Sequence, residues 1–255
     1  MGREIMTLPA PPYDHKIAYG DDPFQFGYLR VPKSAGPHPV AIVIHGGFWR
    51  AAFDLEHSGH MCAALTRAGI ATWSLEYRRI GNPGGGWPGT CEDVLRGASH
   101  LRTLASQYPL NAARAIAIGH SAGGQLALWL AAQKKPRLRG AVSLAGVVDL
   151  ARAWELKLSN TVVGDFMGGS PHELAGAYKL ASPIECLPIG TPTRLVHGDQ
   201  DDVVPIEISR RFVVAAVKAG DDSKLVTLAG ADHFVVIDPR TPEWAIVEQT
   251  VLELI

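Results

Sequence analysis

The stretch that most constrains the fold is the pentapeptide Gly-His-Ser-Ala-Gly at residues 119–123, together with the segments on either side of it. The apolar run 115–118 before it predicts a buried strand, and the Ala- and Leu-rich run 124–132 after it predicts a helix. Glycines at both ends permit a sharp strand-to-helix turn that leaves no room for a Cβ atom. Such a turn places the Ser121 hydroxyl at the carboxyl edge of a sheet, where the next helix begins. Because Gly-rich pentapeptides are usually only turns, it is the flanking segments that make Ser121 a predicted nucleophile.

Strand-like and helix-like segments alternate along most of the chain. Continuous apolar runs such as residues 40–44 suit strands buried on both faces, and one helix is expected over residues 90–106, with Thr90 as its N-cap and Asp93 three residues on. The alternation predicts an α/β fold with a mostly parallel sheet that helices cover on both faces. Ligands bind such sheets beyond the carboxyl ends of the strands. The loops expected at this edge follow strands that end at Ile44, Tyr77, Ile118, Ala145, Val196 and Leu228.

The chain divides into an N-terminal arm and one domain. The polar, Pro-rich residues 1–23 predict the arm, and residues 24–255 predict the domain. Residues 147–186 break the alternation of strands and helices, and we expect them to form a short cap-like excursion over the active site. This segment is called the excursion below.

Composition limits the classes of function. A chain of 255 residues with 47% apolar residues suits one large domain with a sizeable core, and a net charge of −1 gives no case for binding nucleic acid or an acidic membrane. Three widely spaced cysteines form neither a disulfide framework nor a zinc pattern, and no cofactor or metal is expected. The first twelve residues lack the basic start and apolar run of a secretory signal, and no apolar stretch is long enough to span a bilayer. We therefore expect a soluble, cytoplasmic protein.

A nucleophilic serine needs a base and an acid beside it. His233 follows the last predicted strand and is the last histidine in the chain, so it should lie at the same edge of the sheet as Ser121. His197 also ends a strand, but as the base it would need an acid between residues 122 and 196. We therefore predict that His233 is the base.

The acid should come from the loop after the preceding strand, where three aspartates compete. Asp201 lies in the middle of this loop, where a carboxylate can turn inward onto an imidazole. Asp202 is the alternative, and Asp199 is typical of a turn residue. We expect Asp201 to be the acid, with the choice between Asp201 and Asp202 left open.

Backbone N–H groups are expected to stabilise the oxyanion of a tetrahedral intermediate. The N–H of Ala122, at the start of the helix after Ser121, is one candidate donor. Gly47 and Phe48, in the glycine-bearing loop after the strand at 40–44, supply the others. His45 is expected to brace this loop by hydrogen bonding rather than to act as a base.

Bulky side chains near the predicted edge are candidates for the walls of the substrate pocket. Arg78 and Arg79 follow a strand at this edge and could meet an acidic substrate, although solvated charges are the ordinary interpretation. The aromatic and sulfur-containing candidates for the pocket are Trp49, Trp87, Phe166 and Met167.

Four motifs together resemble the α/β-hydrolase superfamily. They are His-Gly-Gly-Phe-Trp at residues 45–49, the pentapeptide at 119–123, His-Gly-x-x-Asp-x-x-Val-Pro at 197–205 and Asp-His-Phe at 232–234. The chain resembles the esterase branch that includes kynurenine formamidases, bacterial carboxylesterase- and feruloyl-esterase-like proteins and the catalytic domain of prolyl-oligopeptidase-type peptidases. The resemblance implies Ser121 as nucleophile, Asp201 as acid and His233 as base. One departure is Phe48, where hormone-sensitive-lipase-like esterases carry a third glycine.

The sequence therefore favours a serine hydrolase that cleaves small carboxylic esters through an acyl-enzyme. Two alternatives stay open: an arylformamidase that hydrolyses N-formyl-kynurenine, and a binding module on a hydrolase scaffold without turnover. The expected partner is a small ester or amide substrate, and the oligomeric state is left open. Fold alone does not fix the substrate.

Overall fold

A computed structural model describes residues 2–255, in which eight strands form one sheet. Met1, the first residue of the predicted arm, lies outside the described residues. The sheet order is β1-β2-β4-β3-β5-β6-β7-β8, antiparallel from β1 to β4 and parallel from β4 to β8. The strands are β1 (His15–Ala18), β2 (Phe26–Arg30), β3 (His38–Ile44), β4 (Ala71–Leu75), β5 (Leu110–His120), β6 (Gly140–Leu144), β7 (Thr193–Gly198) and β8 (Ser223–Leu228).

Helices cover both faces of this sheet. They are α1 (Gly59–Arg67), α2 (Gly89–Ser99), α3 (Leu101–Gln107), α4 (Ala122–Ala132), α5 (Leu150–Glu155), α6 (Val162–Met167), α7 (Ala175–Ala181), α8 (Glu207–Lys218) and α9 (Trp244–Leu252). Buried side chains of α1 and α9 pack on one face, and those of α2, α3, α4 and α8 pack on the other. This is the predicted α/β-hydrolase architecture. Among residues 2–255, no helix has the length and apolar character that crossing a bilayer requires.

Strand β3 shows how the sequence produces a sheet covered on both faces. Successive side chains of a strand point to opposite faces. Val40 and Ile42 pack into one core, whereas Ala41 and Val43 pack into the other, and all four are fully buried. A strand buried on both sides has no polar positions, which explains the continuous apolar run.

The register of the sheet brings together the loops that carry the candidate site. Ile44 at the end of β3 pairs with Gly119 of β5, so the loop after β3 begins beside the pentapeptide. Gly198 at the end of β7 pairs with Leu228 at the end of β8, so the two loops that follow also start side by side. Four loops therefore meet at one edge because the strands before them end in register.

The predicted helix over residues 90–106 is wrong in two respects. It is two helices, α2 and α3, with His100 between them. Thr90 is not the N-cap: Pro88 is, and the Thr90 hydroxyl instead accepts a hydrogen bond from the N–H of Gly86. Asp93 does not close a capping box, because its carboxylate binds Arg78. Partners in the preceding loop thus outcompete the local capping pattern.

The N-terminal arm packs against the domain rather than projecting from it. Residues 15–18 form the edge strand β1, and a short 3-10 helix over residues 2–6 buries Ile5 completely. Ile5 belongs to the core on the α1 and α9 face. The arm can therefore contribute side chains to the carboxyl edge of the sheet.

Candidate active site

Ser121 occupies a strained turn between β5 and α4. Its backbone has φ 56° and ψ −120°, a conformation that a non-glycine residue adopts at a cost of roughly 1–3 kcal/mol. A Cβ on Gly119 would lie 2.0 Å from the carbonyl oxygen of Gly123, and one on Gly123 would lie 2.1 Å from the carbonyl oxygen of Ile44. The turn is held in place by the Ser121 N–H, which donates to Leu144 O at 2.8 Å. The flanking glycines therefore allow the serine to sit directly against β3 and β6.

Asp201 faces His233 across the loops that follow β7 and β8. Its Oδ2 accepts a hydrogen bond from Nδ1 of His233 at 2.7 Å, and its Oδ1 accepts from the N–H groups of Val203 and Val204 at 2.9 and 2.8 Å. Burial alone would raise the pKa of Asp201, but hydrogen bonds from His197 and His233 outweigh it and hold the pKa well below its usual range. The carboxylate is therefore ionised at neutral pH, and it fixes the proton of His233 on Nδ1.

The other two aspartates of this loop take different positions. Asp202 is exposed. The Asp199 carboxylate accepts a hydrogen bond from the N–H of Gly230 at 2.7 Å, which joins the two loops as a turn residue would. Only Asp201, of the three, is in contact with the His233 ring.

His197 holds the loop that carries Asp201. Its Nε2 lies 3.1 Å from Oδ2 of Asp201 and 2.8 Å from the carbonyl oxygen of Val204, and its Nδ1 lies 2.8 Å from the Ser209 hydroxyl. The ring is completely buried. Asp201 is thus shared by two imidazoles, of which only that of His233 reaches the cavity described below. The sequence signal for this role is a histidine that directly ends an apolar strand.

The loop at residues 45–49, called the oxyanion loop below, has an uncommon backbone. Gly47, Phe48 and Trp49 all have positive φ, at 101°, 51° and 55°. Among residues 2–255, no hydrogen-bond acceptor receives the N–H groups of Gly47, Phe48 or Ala122. These three groups, which the sequence singled out as oxyanion donors, therefore stay available to a ligand.

A buried network beneath the oxyanion loop keeps this conformation. Nδ1 of His45 lies 2.8 Å from the carbonyl oxygen of Gly46, and Nε2 lies 3.1 Å from Oε1 of Glu76. The Glu76 carboxylate also accepts from the N–H groups of Leu55 and Tyr77. Burial would raise the pKa of Glu76, but the charge and hydrogen bond of His45, the charge of Arg79 and the hydrogen bond from the Tyr77 N–H lower it overall. His45 thus braces the loop, and its partner Glu76 is a residue that sequence reasoning missed.

Ser121 and His233 open into one cavity of about 420 Å³, called the Ser121 cavity below. Its walls combine apolar side chains with two guanidinium groups. The lining residues are Arg3, Met6, Thr7, Gly47, Phe48, Arg50, Phe53, His120, Ser121, Ser159, Val203, His233 and Phe234. The structure thus brings Ser121, His233, Gly47 and Phe48 to one cavity. Asp201 contacts the His233 ring outside this cavity, and Ala122 follows Ser121 as the first residue of α4.

The four predicted pocket side chains lie elsewhere. The ring of Trp49 is fully buried and stacks on Phe166, with 4.4 Å between the centroids. Met167 is buried beside it on α6, and Trp87 packs edge-on against Trp129. None of the four lines the Ser121 cavity. Large apolar side chains near an active edge here fill the core between the excursion and α4, which pattern alone does not reveal.

The two arginines that were expected to face either solvent or an acidic substrate are engaged inside the protein. Arg78 makes a paired hydrogen bond to Asp93 at 2.7 and 2.8 Å. Arg79 is buried, lies 3.4 Å from Glu76 and donates to the carbonyl oxygen of Phe53. Both therefore stabilise the loops rather than the substrate.

Sequence reasoning missed the arginines that do line the cavity. Arg3, Met6 and Thr7 come from the N-terminal arm, for which the sequence carries no functional motif. Arg50 directly follows the oxyanion loop and could have been found by its position. Among residues 2–255, no three His, Cys, Asp or Glu side chains converge as metal ligands.

Comparison with known proteins places the chain in a family and identifies solved structures of similar fold. Residues 28–215 match the BD-FAE family. The kynurenine formamidase of Drosophila melanogaster is 21% identical over 93% of this chain, and the versiconal hemiacetal acetate esterase of Dothistroma septosporum is 31% identical over 57% of it. The chain spans 79% of the length of the first and 46% of the second. An SN3-inhibited esterase B of Lactobacillus rhamnosis superposes with a TM-score of 0.83 at 16% identity, covering 99% of this chain and 90% of that one.

The family match covers well over half of the chain, and the solved structure shares its fold. Both agree with the resemblance carried by the four sequence motifs. The chain belongs to the BD-FAE family, and it has the α/β-hydrolase fold.

Proposed function

We propose that the protein is a serine hydrolase that cleaves small carboxylic esters through an acyl-enzyme. The observation that carries the proposal is that Ser121, on its strained turn, and His233, held by Asp201, line the same cavity. A serine hydroxyl is a poor nucleophile unless a base takes its proton. With Nδ1 protonated toward Asp201, the Nε2 atom of His233 is the one left to accept that proton.

The reaction proceeds in two halves. The Ser121 oxygen attacks the ester carbonyl while His233 accepts the hydroxyl proton, and the imidazolium then donates it to the departing alkoxide. Water, deprotonated by the same ring, attacks the acyl-enzyme and releases the carboxylic acid and Ser121. The ionised Asp201 stabilises the imidazolium in each half because the two groups are 2.7 Å apart.

Negative charge on the former carbonyl oxygen needs donors that are already in place. The N–H groups of Gly47, Phe48 and Ala122 supply them without breaking any internal hydrogen bond. Donors that are fixed before the reaction cost no reorganisation in the transition state, and removing one such donor typically costs about 10²–10³ in kcat.

The test is hydrolysis of 4-nitrophenyl butyrate by the wild type, Ser121→Ala and Ser106→Ala. Ser106 is an exposed serine on α3, outside the cavity, and serves as the matched control. We expect Ser121→Ala to lose about 10⁴-fold or more in kcat/KM, because the nucleophile is removed, and Ser106→Ala to match the wild type. Activity of Ser121→Ala at the wild-type rate would contradict the proposal.

Formamide hydrolysis is a second candidate. The Drosophila melanogaster relative that aligns over 93% of this chain is named a kynurenine formamidase. The same groups would serve, with His233 protonating an amine instead of an alcohol. Assaying N-formyl-kynurenine beside the short ester separates the two, since an arylformamidase would have the higher kcat/KM for the formamide.

A binding module without turnover is the alternative from another class. It predicts that folded protein hydrolyses neither substrate and does not react with a fluorophosphonate.

A further inference from the structure

The Ser121 cavity contains two arginines that form no salt bridge with the described part of the chain. Arg3 and Arg50 both line it, whereas no aspartate or glutamate in the described part of the chain does. Within residues 2–255, neither guanidinium comes within 4.0 Å of a carboxylate. By contrast, Arg78 and Arg79, on the neighbouring loop, each have a carboxylate partner. The cavity is therefore a place where an anion would be stabilised.

Hydrogen bonds within the protein already hold the Arg50 side chain at the cavity. Its side chain is half-buried, and its two terminal nitrogens donate to the hydroxyl and the carbonyl oxygen of Ser159 at 3.2 and 2.9 Å. A guanidinium has five N–H donors, so three are left after these two bonds. Its backbone N–H donates to Gly47 O at 3.0 Å, which ties the residue to the oxyanion loop. A group bound by Arg50 would therefore lie beside the reacting carbonyl rather than at a remote site.

Arg3 approaches from the other side of the cavity. Its guanidinium carbon lies 5.5 Å from the centre of the ring of Phe234, the residue that follows His233 in the sequence. The side chain is exposed. Its charge adds to the attraction for an anion entering the cavity, and solvent weakens that contribution more than it weakens that of Arg50.

The remaining walls define the rest of the ligand. The apolar side chains of Met6, Phe48, Phe53, Val203 and Phe234 surround the arginines. Apolar walls with a few placed polar groups favour a compound with an aromatic or aliphatic body and one charged group. Bracing Ser159 uses only two of the five donors of Arg50, so it does not account for the unpaired charge.

We propose that the substrate carries a carboxylate and that Arg50, assisted by Arg3, binds it. This inference rests on the proposed esterase function and narrows it to esters of small aromatic or aliphatic compounds that bear a carboxylate. Arginine suits this task because its planar fork matches the two oxygens of a carboxylate. The carboxylate takes no part in bond breaking. It orients the ester carbonyl toward Ser121.

Two matched pairs of esters test the proposal, one pair for each side of the ester bond. For the leaving group, 4-acetoxybenzoate is compared with 4-methylphenyl acetate. For the acyl group, the mono-4-nitrophenyl ester of succinic acid is compared with 4-nitrophenyl 4-methylpentanoate, in which an isopropyl group replaces the carboxylate. The readout is the kcat/KM of the anionic ester divided by that of its neutral partner. Differences in intrinsic reactivity cancel when this ratio is compared between variants.

We expect Arg50→Gln to lower the ratio by about 10–100-fold in at least one pair, the range for one charge-assisted hydrogen-bonded contact. Arg50→Lys keeps the charge but not the planar fork, so its ratio should lie between those of the wild type and Arg50→Gln. Arg3→Gln, in an exposed arm residue, should lower the ratio by about 2–5-fold, more at low than at high salt. The control is Arg102→Gln, which removes an equal charge from the exposed face of α3 and should leave the ratio unchanged. Ratios in Arg50→Gln and Arg3→Gln that equal the wild-type ratio in both pairs would overturn the proposal.

Binding without turnover separates this proposal from the proposed function. Calorimetry on Ser121→Ala uses the anionic ester of a pair whose ratio responds to Arg50→Gln, which is 4-acetoxybenzoate for the leaving-group side or the succinate monoester for the acyl side. It should give a Kd at least about tenfold lower than Ser121→Ala/Arg50→Gln gives. If hydrolysis depends on Ser121 but the ratios and Kd values are the same with and without Arg50, the esterase proposal holds and the carboxylate proposal is overturned. Binding that depends on Arg50 without hydrolysis of any ester would support the anion site and contradict the esterase proposal.

Discussion

Replacing Gly123 with alanine would test how tightly the turn at Ser121 is set against β3. Gly123 lies in the first turn of α4, and a Cβ there would sit 2.1 Å from the carbonyl oxygen of Ile44 and 2.5 Å from that of His45. Both atoms belong to backbone, so no side chain can rotate away. Because His45 is the first residue of the oxyanion loop, relief of this clash must move Ser121 relative to the backbone N–H groups of Gly47 and Phe48.

The size of the effect follows from the distances. Real Cβ contacts essentially never fall below 3.0 Å, so the two backbones must separate by about 1 Å. A displacement of about 1 Å between reacting groups can cost about 100-fold in rate. Forcing a methyl group into a packed interior costs about 1–3 kcal/mol, and about 1 kcal/mol corresponds to roughly 2–4 °C in Tm for a domain of this size. We therefore expect Gly123→Ala to lower kcat/KM about 100-fold and Tm by about 2–12 °C.

The assay compares Gly123→Ala with Gly176→Ala. Gly176 lies on α7 with open space around its Cβ position, so alanine there should leave kcat/KM at the wild-type value and Tm unchanged or slightly raised. Rates of 4-nitrophenyl butyrate hydrolysis are measured well below the lower Tm and divided by the fraction of active sites found by titration. This normalisation excludes a loss of activity that is due to unfolding. Wild-type kcat/KM in Gly123→Ala would refute the reasoning that this contact sets the distance between nucleophile and oxyanion donors.

Three further changes address the acid and the buried histidines. Asp201→Asn should lower kcat about 10³–10⁴-fold, because an amide can no longer hold the base in its tautomer or stabilise the imidazolium, while the exposed Asp202→Asn should match the wild type in the same ester assay. His197→Asn should lower kcat about 10–100-fold by loosening the Asp201 carboxylate, and Ser209→Ala should do so less, since it removes only the outer hydrogen bond of His197. Burial and the neighbouring His45 charge lower the pKa of His57 from 6.5 to about 3. Between about pH 6.5 and pH 3 the unfolded chain therefore binds a proton at His57 that the native state does not bind. As the pH falls through this range, the free energy of unfolding of the wild type should decrease by up to about 1.4 kcal/mol per pH unit more than that of His57→Gln. Urea titration at a series of pH values measures this difference.

Each of these three has a result that would contradict it. Equal losses in Asp201→Asn and Asp202→Asn would mean that the loop rather than one carboxylate matters. Full activity in His197→Asn would show that the Asp201 carboxylate holds its position without a second imidazole. Parallel stability curves for wild type and His57→Gln across the acid range would mean that His57 is not kept neutral by burial.

The sequence predicted those parts of the structure that depend on local pattern and chain order. Apolar runs located the parallel strands, and the flanks of Ser121 located the turn. His233 was placed at the same edge because parallel strands end together, which requires no knowledge of packing. The fold and the match to the BD-FAE family agree with these predictions.

Features that depend on three-dimensional packing could not be predicted. Trp49 and Phe166 were expected in the pocket, but their stacking in the core depends on how the excursion folds back. Thr90 has the composition of an N-cap, yet a contact to the preceding loop engages its hydroxyl. Arg3 reaches the cavity because the arm folds against the domain, and no local pattern encodes that path. Glu76 differs, since a carboxylate that directly ends an apolar strand is a visible signal of a buried partner.

The assignment of Ser121 as the nucleophile is tested most directly by locating the site of covalent labelling. Active protein is treated with a fluorophosphonate, digested, and the modified residue is identified by mass spectrometry beside the Ser121→Ala protein. We predict one adduct, on Ser121, that forms in parallel with the loss of ester hydrolysis and is absent from Ser121→Ala. Ester hydrolysis that persists with Ser121 fully modified, or an inactivating adduct on another residue, would contradict the account.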